Sequence, residues 1–378
     1  MPVWQSIVVF TVAFIVTYAM VPVSKRIAFA IGAIDFPGDR RVNDKIIPRA
    51  GGIALYAGFI AGCLALLICI KFFDWPFEDL YSVRGVDYVQ LFLGVTIVFV
   101  VGLIDDVSPL SPRTKLAGQI VAAVVICLSG VTVGSVRWVF TGEYITFGWL
   151  DYPITIIYFL IFMNAINLID GLDGLAAGIV AIVSCGLMYL VHARGSITLF
   201  MFCIMIVAVC LAFLRYNFHP ASIFMGDSGS LFLGTLLAVL SVTGIARSQG
   251  IAVFIVPLVI AGVPVLDTGT AIIRRIREGK RIDEADMEHV HHRMMTYGMS
   301  HSNTVLILYA ITAVLAFTGC FMSSFTGLRR WVVIGVLGAA VFLVIWRMNL
   351  FGPVLQHYYR RRDKAEPRRD ANMDLEEE

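Results

Sequence analysis

The chain is predicted to be an all-α integral membrane protein of about eleven transmembrane helices, with its N-terminus outside and its C-terminus in the cytoplasm. Three observations predict this. First, 58% of its 378 residues are hydrophobic and 15% charged, with a mean hydropathy of +0.83; soluble domains run at roughly 45–50% apolar and about 25% charged. Second, Pro and Gly punctuate apolar runs of roughly 20 residues, the length that crosses a hydrocarbon core as a helix with every backbone hydrogen bond made internally. Third, when the 25–50 loop is placed in the cytoplasm, 22 of the 29 Lys and Arg fall on the inner side, the bias that sets orientation.

Taken in order, the spans are 4–24 (extending toward 31), 51–70, 88–104, 115–130, 152–169, 173–192, 197–214, 229–246, 251–273, 303–323 and 329–349. The first lacks a basic leader and is too long for a signal sequence. Between spans four and five, the outer segment 131–150 holds Val-Thr-Val, a Thr-Gly-Glu turn and Tyr-Ile-Thr-Phe, which predicts a small β-hairpin. Residues 1–350 read as a single polytopic catalytic domain. Residues 351–378 form a tail charged at both signs, whose composition predicts disorder. The seven Cys sit inside apolar runs without paired or metal-ligand spacing, so no disulfide framework is expected. A net charge of +2 gives no reason to expect a nucleic-acid partner.

Polar residues concentrate where span five meets span six, in Asn164-Ala-Ile-Asn167-Leu-Ile-Asp170-Gly-Leu-Asp173-Gly174. At three-residue spacing, four such residues on a helix drift by only about 60° each and crowd one side. Carboxylates and amides at membrane depth mark a functional site by default; an Asp capping the next helix is the plainer reading, and it needs one acid rather than two acids and two amides. Asp105-Asp106 ends span three. Adjacent carboxylates repel, so either one holds a proton or a cation sits nearby, which suits a general base or a metal neighbour. Lys115 opens the next span after Pro109, Pro112 and Arg113, at a depth suited to a phosphate; alone it is merely a snorkelling lysine. Phe224-Met-Gly-Asp227-Ser-Gly-Ser230 is a tight turn opening span eight: Asp227 is either a cap or a ligand for Mg²⁺, which takes one or two carboxylates beside substrate phosphates.

The longest cytoplasmic loop carries Arg274, Arg275 and Arg277, then His289-Val-His291-His292-Arg293. No Cys accompanies these histidines, and an anion clamp fits them better than a zinc site. The first loop adds Asp35-Phe-Pro-Gly-Asp-Arg-Arg-Val-Asn43 and Pro48-Arg49-Ala-Gly51-Gly52, where the glycines allow close backbone approach. All of these groups fall on the cytoplasmic side. A transporter would scatter ionisable groups through the midplane and across both faces; one-sided clustering points to a site that meets a water-soluble partner at the membrane surface. Acids for a hard cation, bases for phosphate and a bilayer behind them are what transfer of a phosphoryl-linked group from a nucleotide to a lipid phosphate needs. Neither GxxxxGK[ST] nor GxGxxG is present.

In these motifs the chain resembles the polyprenyl-phosphate N-acetylhexosamine-1-phosphate transferases (glycosyltransferase family 4). Pro48-Arg-Ala-Gly-Gly52, Gly102-Leu-Ile-Asp-Asp106, the Asn164–Gly174 stretch, Phe224–Gly229 and His289–Arg293 occur in the family's order. The His-x-His-His-Arg form is closer to the WecA/TagO branch than to the MraY branch, whose muramoyl-pentapeptide substrate stays as the alternative. Asn43 and Phe36 depart from the branch pattern. The resemblance implies transfer of N-acetylglucosamine 1-phosphate from UDP-GlcNAc to undecaprenyl or another polyprenyl phosphate in a bacterial plasma membrane, with UMP released. It implies Mg²⁺, with Mn²⁺ able to replace it, held by Asp227 and Asn167. Asp105 or Asp106 would deprotonate or orient the lipid phosphate, with Lys115 neutralising charge. Asp173 would bind uracil and Phe224 stack on it. His291, His292 and Arg293 would hold pyrophosphate and sugar, with Asp170, Asn164, His289, Asp35 and Arg49 completing the site. A homodimer is left open.

Overall fold

The computed structural model describes residues 3–36, 46–75, 85–137, 143–193, 195–245 and 299–323, together with positions 332, 335 and 336. Everything from Val3 to Ser323 lies in one compact unit, Met1–Arg330. The described residues form nine α-helices and two small hairpins, and eight of the helices are long and apolar enough to cross a membrane. This is an all-α, multi-pass membrane protein. Of the expected spans, 251–273 and almost all of 329–349 lie outside the described residues, as does the tail 351–378.

Helix α1 (Val3–Ile31) is followed by β1 (Ile34–Asp35), which pairs antiparallel with β2 (Ile47–Pro48) and so ties the two ends of the first loop together. Next come α2 (Gly51–Phe73), α3 (Tyr88–Val107) and α4 (Pro112–Leu128). Ser111 caps α4 by accepting from the Thr114 N–H at 3.1 Å, and Pro112 supplies the first helical φ. Strands β3 (Ser135–Arg137) and β4 (Tyr144–Thr146) form the hairpin expected within 131–150. Asp151 Oδ1 anchors the segment leading into it by accepting from the Gly134 N–H at 2.7 Å. The remaining helices are α5 (Asp151–Ile169), α6 (Leu175–His192), α7 (Ile197–Asn217), α8 (Gly226–Ile245) and α9 (His301–Ser323).

Helix α8 is the pillar. It packs against α2, α3, α5, α6 and α7, and its spanning window is entirely buried, whereas that of α1 is 22% buried. Leu, Val and Phe alternate with Ser, Thr and Gly all round α8, which suits a helix with protein on every side. Beyond its first turns its hydroxyls are satisfied within the helix: Thr235 donates to the Leu231 carbonyl at 2.8 Å, Ser241 to Leu237 at 2.7 Å and Thr243 to Val239 at 2.6 Å. No water is needed at that depth. The outer helices expose Ile7, Ile15, Leu64, Leu67, Leu93, Val314 and Phe317, an apolar belt fit for acyl chains.

Candidate active site

The site is built at the end of the pillar where α8 begins. Gly226 has φ +73° and starts the helix in a conformation that glycine adopts without strain. That turn presents the N–H groups of Asp227 and Ser228, which at a helix start have no partner of their own. Asp106, from the end of α3, supplies one: Oδ1 accepts from Asp227 N–H at 2.7 Å, and Oδ2 accepts from Ser228 N–H at 3.0 Å and Ser228 Oγ at 2.6 Å. The segment before α2 is laced to the same turn. Phe224 N–H donates to Pro48 O, Gly51 N–H to Phe224 O and Gly52 N–H to Met225 O. A Cβ on Gly52 would lie 2.4 Å from the Gly229 nitrogen, so only glycine permits this approach.

Asp227 is where the charges meet. Arg49 Nη2 donates to its Oδ1 at 2.8 Å, while Arg49 Nε sits 3.3 Å from Asp106 Oδ1. Asn167 Nδ2 also donates to Asp227 Oδ1, at 3.0 Å, and to Ser230 Oγ at 2.9 Å. Lys115 Nζ is bonded to Asp227 Oδ2 and lies 3.2 Å from Asp105 Oδ2 and 3.3 Å from Asn167 Oδ1. Asp105 Oδ1 accepts from Leu110 N–H at 2.6 Å, which closes the α3–α4 turn and points Lys115 at the acids. Arg49 is held above its ordinary pKa: burial opposes its charge, but Asp227, Asp106 and Asp170 outweigh burial. Asp170, just past α5, is pushed well above the carboxylate range by burial, with Asp227, Asp106 and Asp173 adding to the push and Arg49 opposing it.

The four polar residues expected to line one helix face do not do so. Helix α5 ends at Ile169, and Gly174, at φ +79°, turns the chain into α6. Asn164 and Asn167 are therefore on the last turns of α5, while Asp170 and Asp173 lie in the turn. Asn164 faces α4, where it exchanges hydrogen bonds with Gln119: Nδ2 donates to Oε1 at 2.8 Å and Nε2 returns to Oδ1 at 3.3 Å. Asp173 is buried and accepts at Oδ2 from Ala221 N–H at 3.0 Å, beside His219 Nδ1 at 2.8 Å. Phe224, half-buried, is fixed by its backbone bonds to Pro48 and Gly51. Asp35 is in β1, opposite Ile47. His289, His291, His292 and Arg293 lie outside the described residues.

Gln119 and His219 were not singled out in the sequence. Gln119 follows Lys115 by one helical turn, and a glutamine in an apolar run was the available signal. His219 sits in Asn217-Phe-His-Pro-Ala221 ahead of the Phe224 turn, with no pattern of its own.

A membrane bundle whose buried pillar starts at a knot of carboxylates and cations offers the groups that a membrane-embedded group-transfer enzyme needs. The chain belongs to glycosyl transferase family 4. The model of that family, described as "Glycosyl transferase family 4", matches residues 88–245, and a relative from Bacillus subtilis (strain 168), named a probable undecaprenyl-phosphate N-acetylglucosaminyl 1-phosphate transferase, is 38% identical over 85% of this chain and 86% of its own. A decaprenyl-phosphate N-acetylglucosaminephosphotransferase from Mycobacterium tuberculosis (strain CDC 1551 / Oshkosh) is 34% identical over 89% of this chain and 86% of its own. An undecaprenyl-phosphate alpha-N-acetylglucosaminyl 1-phosphate transferase from Yersinia pestis is 26% identical over 93% and 94%.

Proposed function

We propose that the protein transfers N-acetylglucosamine 1-phosphate from UDP-GlcNAc to a polyprenyl phosphate, forming polyprenyl-diphosphate-GlcNAc and releasing UMP, at the cytoplasmic face of a bacterial plasma membrane. The observation that carries this is the convergence on Asp227 of Arg49, Asp105, Asp106, Lys115 and Asn167 from four separate stretches of chain. The names of the relatives support the substrates, and the one-sided basic residues support the orientation.

The residues fit a hard divalent cation. Asp105, Asp106, Asp170 and Asp227 are four carboxylates set against two cations, Arg49 and Lys115, and burial together with the neighbouring acids holds Asp170 above the carboxylate range. Asp227 and the Asn167 amide oxygen are the natural holders of Mg²⁺, which favours oxygen donors and leaves room for phosphate. Bound there, the ion would neutralise charge developing on the pyrophosphate.

The remaining roles belong to side chains. Asp105, with its carboxylate 12% exposed against 0% for Asp106, is the acid able to meet the lipid phosphate and orient it for in-line attack on the β-phosphorus. Lys115 and Arg49 offset the phosphate charge. Asp173 accepts from the uracil, with Phe224 against its face. The apolar belt admits the prenyl tail while the head stays at the polar knot.

The test is transfer of radiolabel from UDP-GlcNAc to polyprenyl phosphate in membranes, with and without EDTA. Label in the lipid extract together with released UMP, both abolished by EDTA and restored by Mg²⁺, is the expected result. Absence of labelled lipid with UDP-GlcNAc, or labelling that ignores EDTA, overturns the proposal.

A further inference from the structure

Asp173 has a second set of neighbours, remote in sequence from the phosphate-side groups. It lies in the α5–α6 turn, His219 in the loop between α7 and α8, and His301 at the start of α9. His219 Nδ1 is 2.8 Å from Asp173 Oδ2, and His301 Nε2 is 3.4 Å from the Asp173 carbonyl. The two imidazoles are stacked, with centroids 4.3 Å apart and planes 17° apart. One ligand atom from each of the three residues lies within 4.8 Å of the others. Tyr309 locks α9 in place, its hydroxyl donating to the Gly174 carbonyl directly after Asp173.

Two features go beyond a carboxylate steadied by histidines. His301 Nδ1 is buried with no hydrogen-bond partner among the described residues, an orphan in an otherwise well-satisfied site. The cluster also reaches solvent through His219, whose side chain is 40% exposed, so an ion has a way in. The donor set differs in kind from that at Asp227: two imidazoles and one carboxylate suit Zn²⁺ and its neighbours, whereas oxygen-only sets suit Mg²⁺. Zn²⁺ draws nitrogen and oxygen ligands to about 2.0–2.2 Å from itself, so both stacked rings must turn out of their parallel arrangement for the triad to close, leaving a fourth position open to water.

We propose that Asp173, His219 and His301 form a second metal site, selective for a borderline ion of the Zn²⁺ class over Mg²⁺. Binding displaces the proton shared by His219 and Asp173 and occupies the Asp173 carboxylate. The functional consequence rests on the proposed contact between Asp173 and uracil: ion and nucleotide exclude one another, and the transition ion is an inhibitor.

The test uses full-length protein in detergent, purified on a tag free of histidine, stripped with EDTA and returned to excess Mg²⁺. Titration with Co²⁺ is followed by its visible absorption, with Zn²⁺ as competitor. The expected result is one saturable Co²⁺ per chain, displaced by Zn²⁺, weakened about tenfold or more by H219A and by H301A and retained when His289, His291 and His292 are all replaced by Ala. H219Q, a change at an exposed loop position, serves if H301A fails to fold. No saturable binding, or binding lost in the triple variant and kept in H219A, overturns the proposal. UMP should displace the ion; binding that depends on His219 but ignores UMP keeps the metal site and removes the uracil contact from Asp173.

Discussion

The backbone N–H of Asp227 donates to Asp106 Oδ1 across 2.7 Å, so one acid of the site holds the helix that carries another. Asp106 accepts three hydrogen bonds and an Arg49 contact with its side chain wholly buried, whereas Asp105 touches Lys115 from a more open position. The adjacent acids therefore divide the work. In D106N the amide turns a donor toward groups that also donate, at a cost of about 1–3 kcal/mol. We expect D106N to lose both thermal stability and turnover, and D105N to lose turnover with its melting midpoint unchanged. Equal melting of the two variants would refute the division.

Asp227 is the meeting point of Lys115, Arg49 and Asn167. D227N should reduce transfer by about 100-fold or more and abolish stabilisation by Mg²⁺ in thermal-shift measurements, while the chain still elutes as a folded species. Mg²⁺ stabilisation equal to that of the parent would remove Asp227 from the metal site.

Asp170 gives a pH signature. Burial and the neighbouring Asp227, Asp106 and Asp173 raise its folded pKa above its unfolded value, so the folded chain binds the extra proton. Stability of the Mg²⁺-free protein then falls as pH rises from about 4 through the raised value. Mg²⁺ should restore more stability at pH 8 than at pH 5.5, and D170N should flatten the profile. A metal-free melting midpoint that climbs with pH over this range would contradict the assignment.

Gln119 and Asn164 clasp α4 to α5 one turn away from the Lys115–Asn167 contact. Q119L and N164L should each lower transfer by misplacing Lys115. A double-mutant cycle should show coupling of about 0.6 kcal/mol, the usual size for hydrogen bonds between membrane helices. Additive losses would mean that the clasp does not set the register.

The close approach of Gly52 to the Gly229 nitrogen makes G52A a test of backbone fit. Overpacking costs about 1–3 kcal/mol, and here backbone must move. Reduced stability together with reduced transfer is expected. G52A with parental activity would show that the α2 and α8 starts need not touch.

Much of the fold was legible because apolar runs and turn residues act locally: the nine described helices match expected spans, and Tyr-Ile-Thr-Phe marked the second strand of the hairpin, whereas Val131-Thr-Val133 precedes the first, Ser135–Arg137. The residues gathered at Asp227 were legible as types that crowd one face of a membrane. Their division of labour was not. Asp106 as a cap, the Gln119–Asn164 clasp and the stacking of His219 on His301 each depend on a partner far along the chain, and no local period records such pairs. The ribbon of Asn164, Asn167, Asp170 and Asp173 misled for the opposite reason: its spacing is helical, but α5 ends at Ile169, before the last two can join it.

Because α8 meets protein on every side, it has no face for acyl chains to press on. A thicker or stiffer bilayer should act first on the rim helices, and the acid at the tip of the central post should keep its depth. The proposed catalytic centre would then be insulated from the mechanical state of the membrane around it.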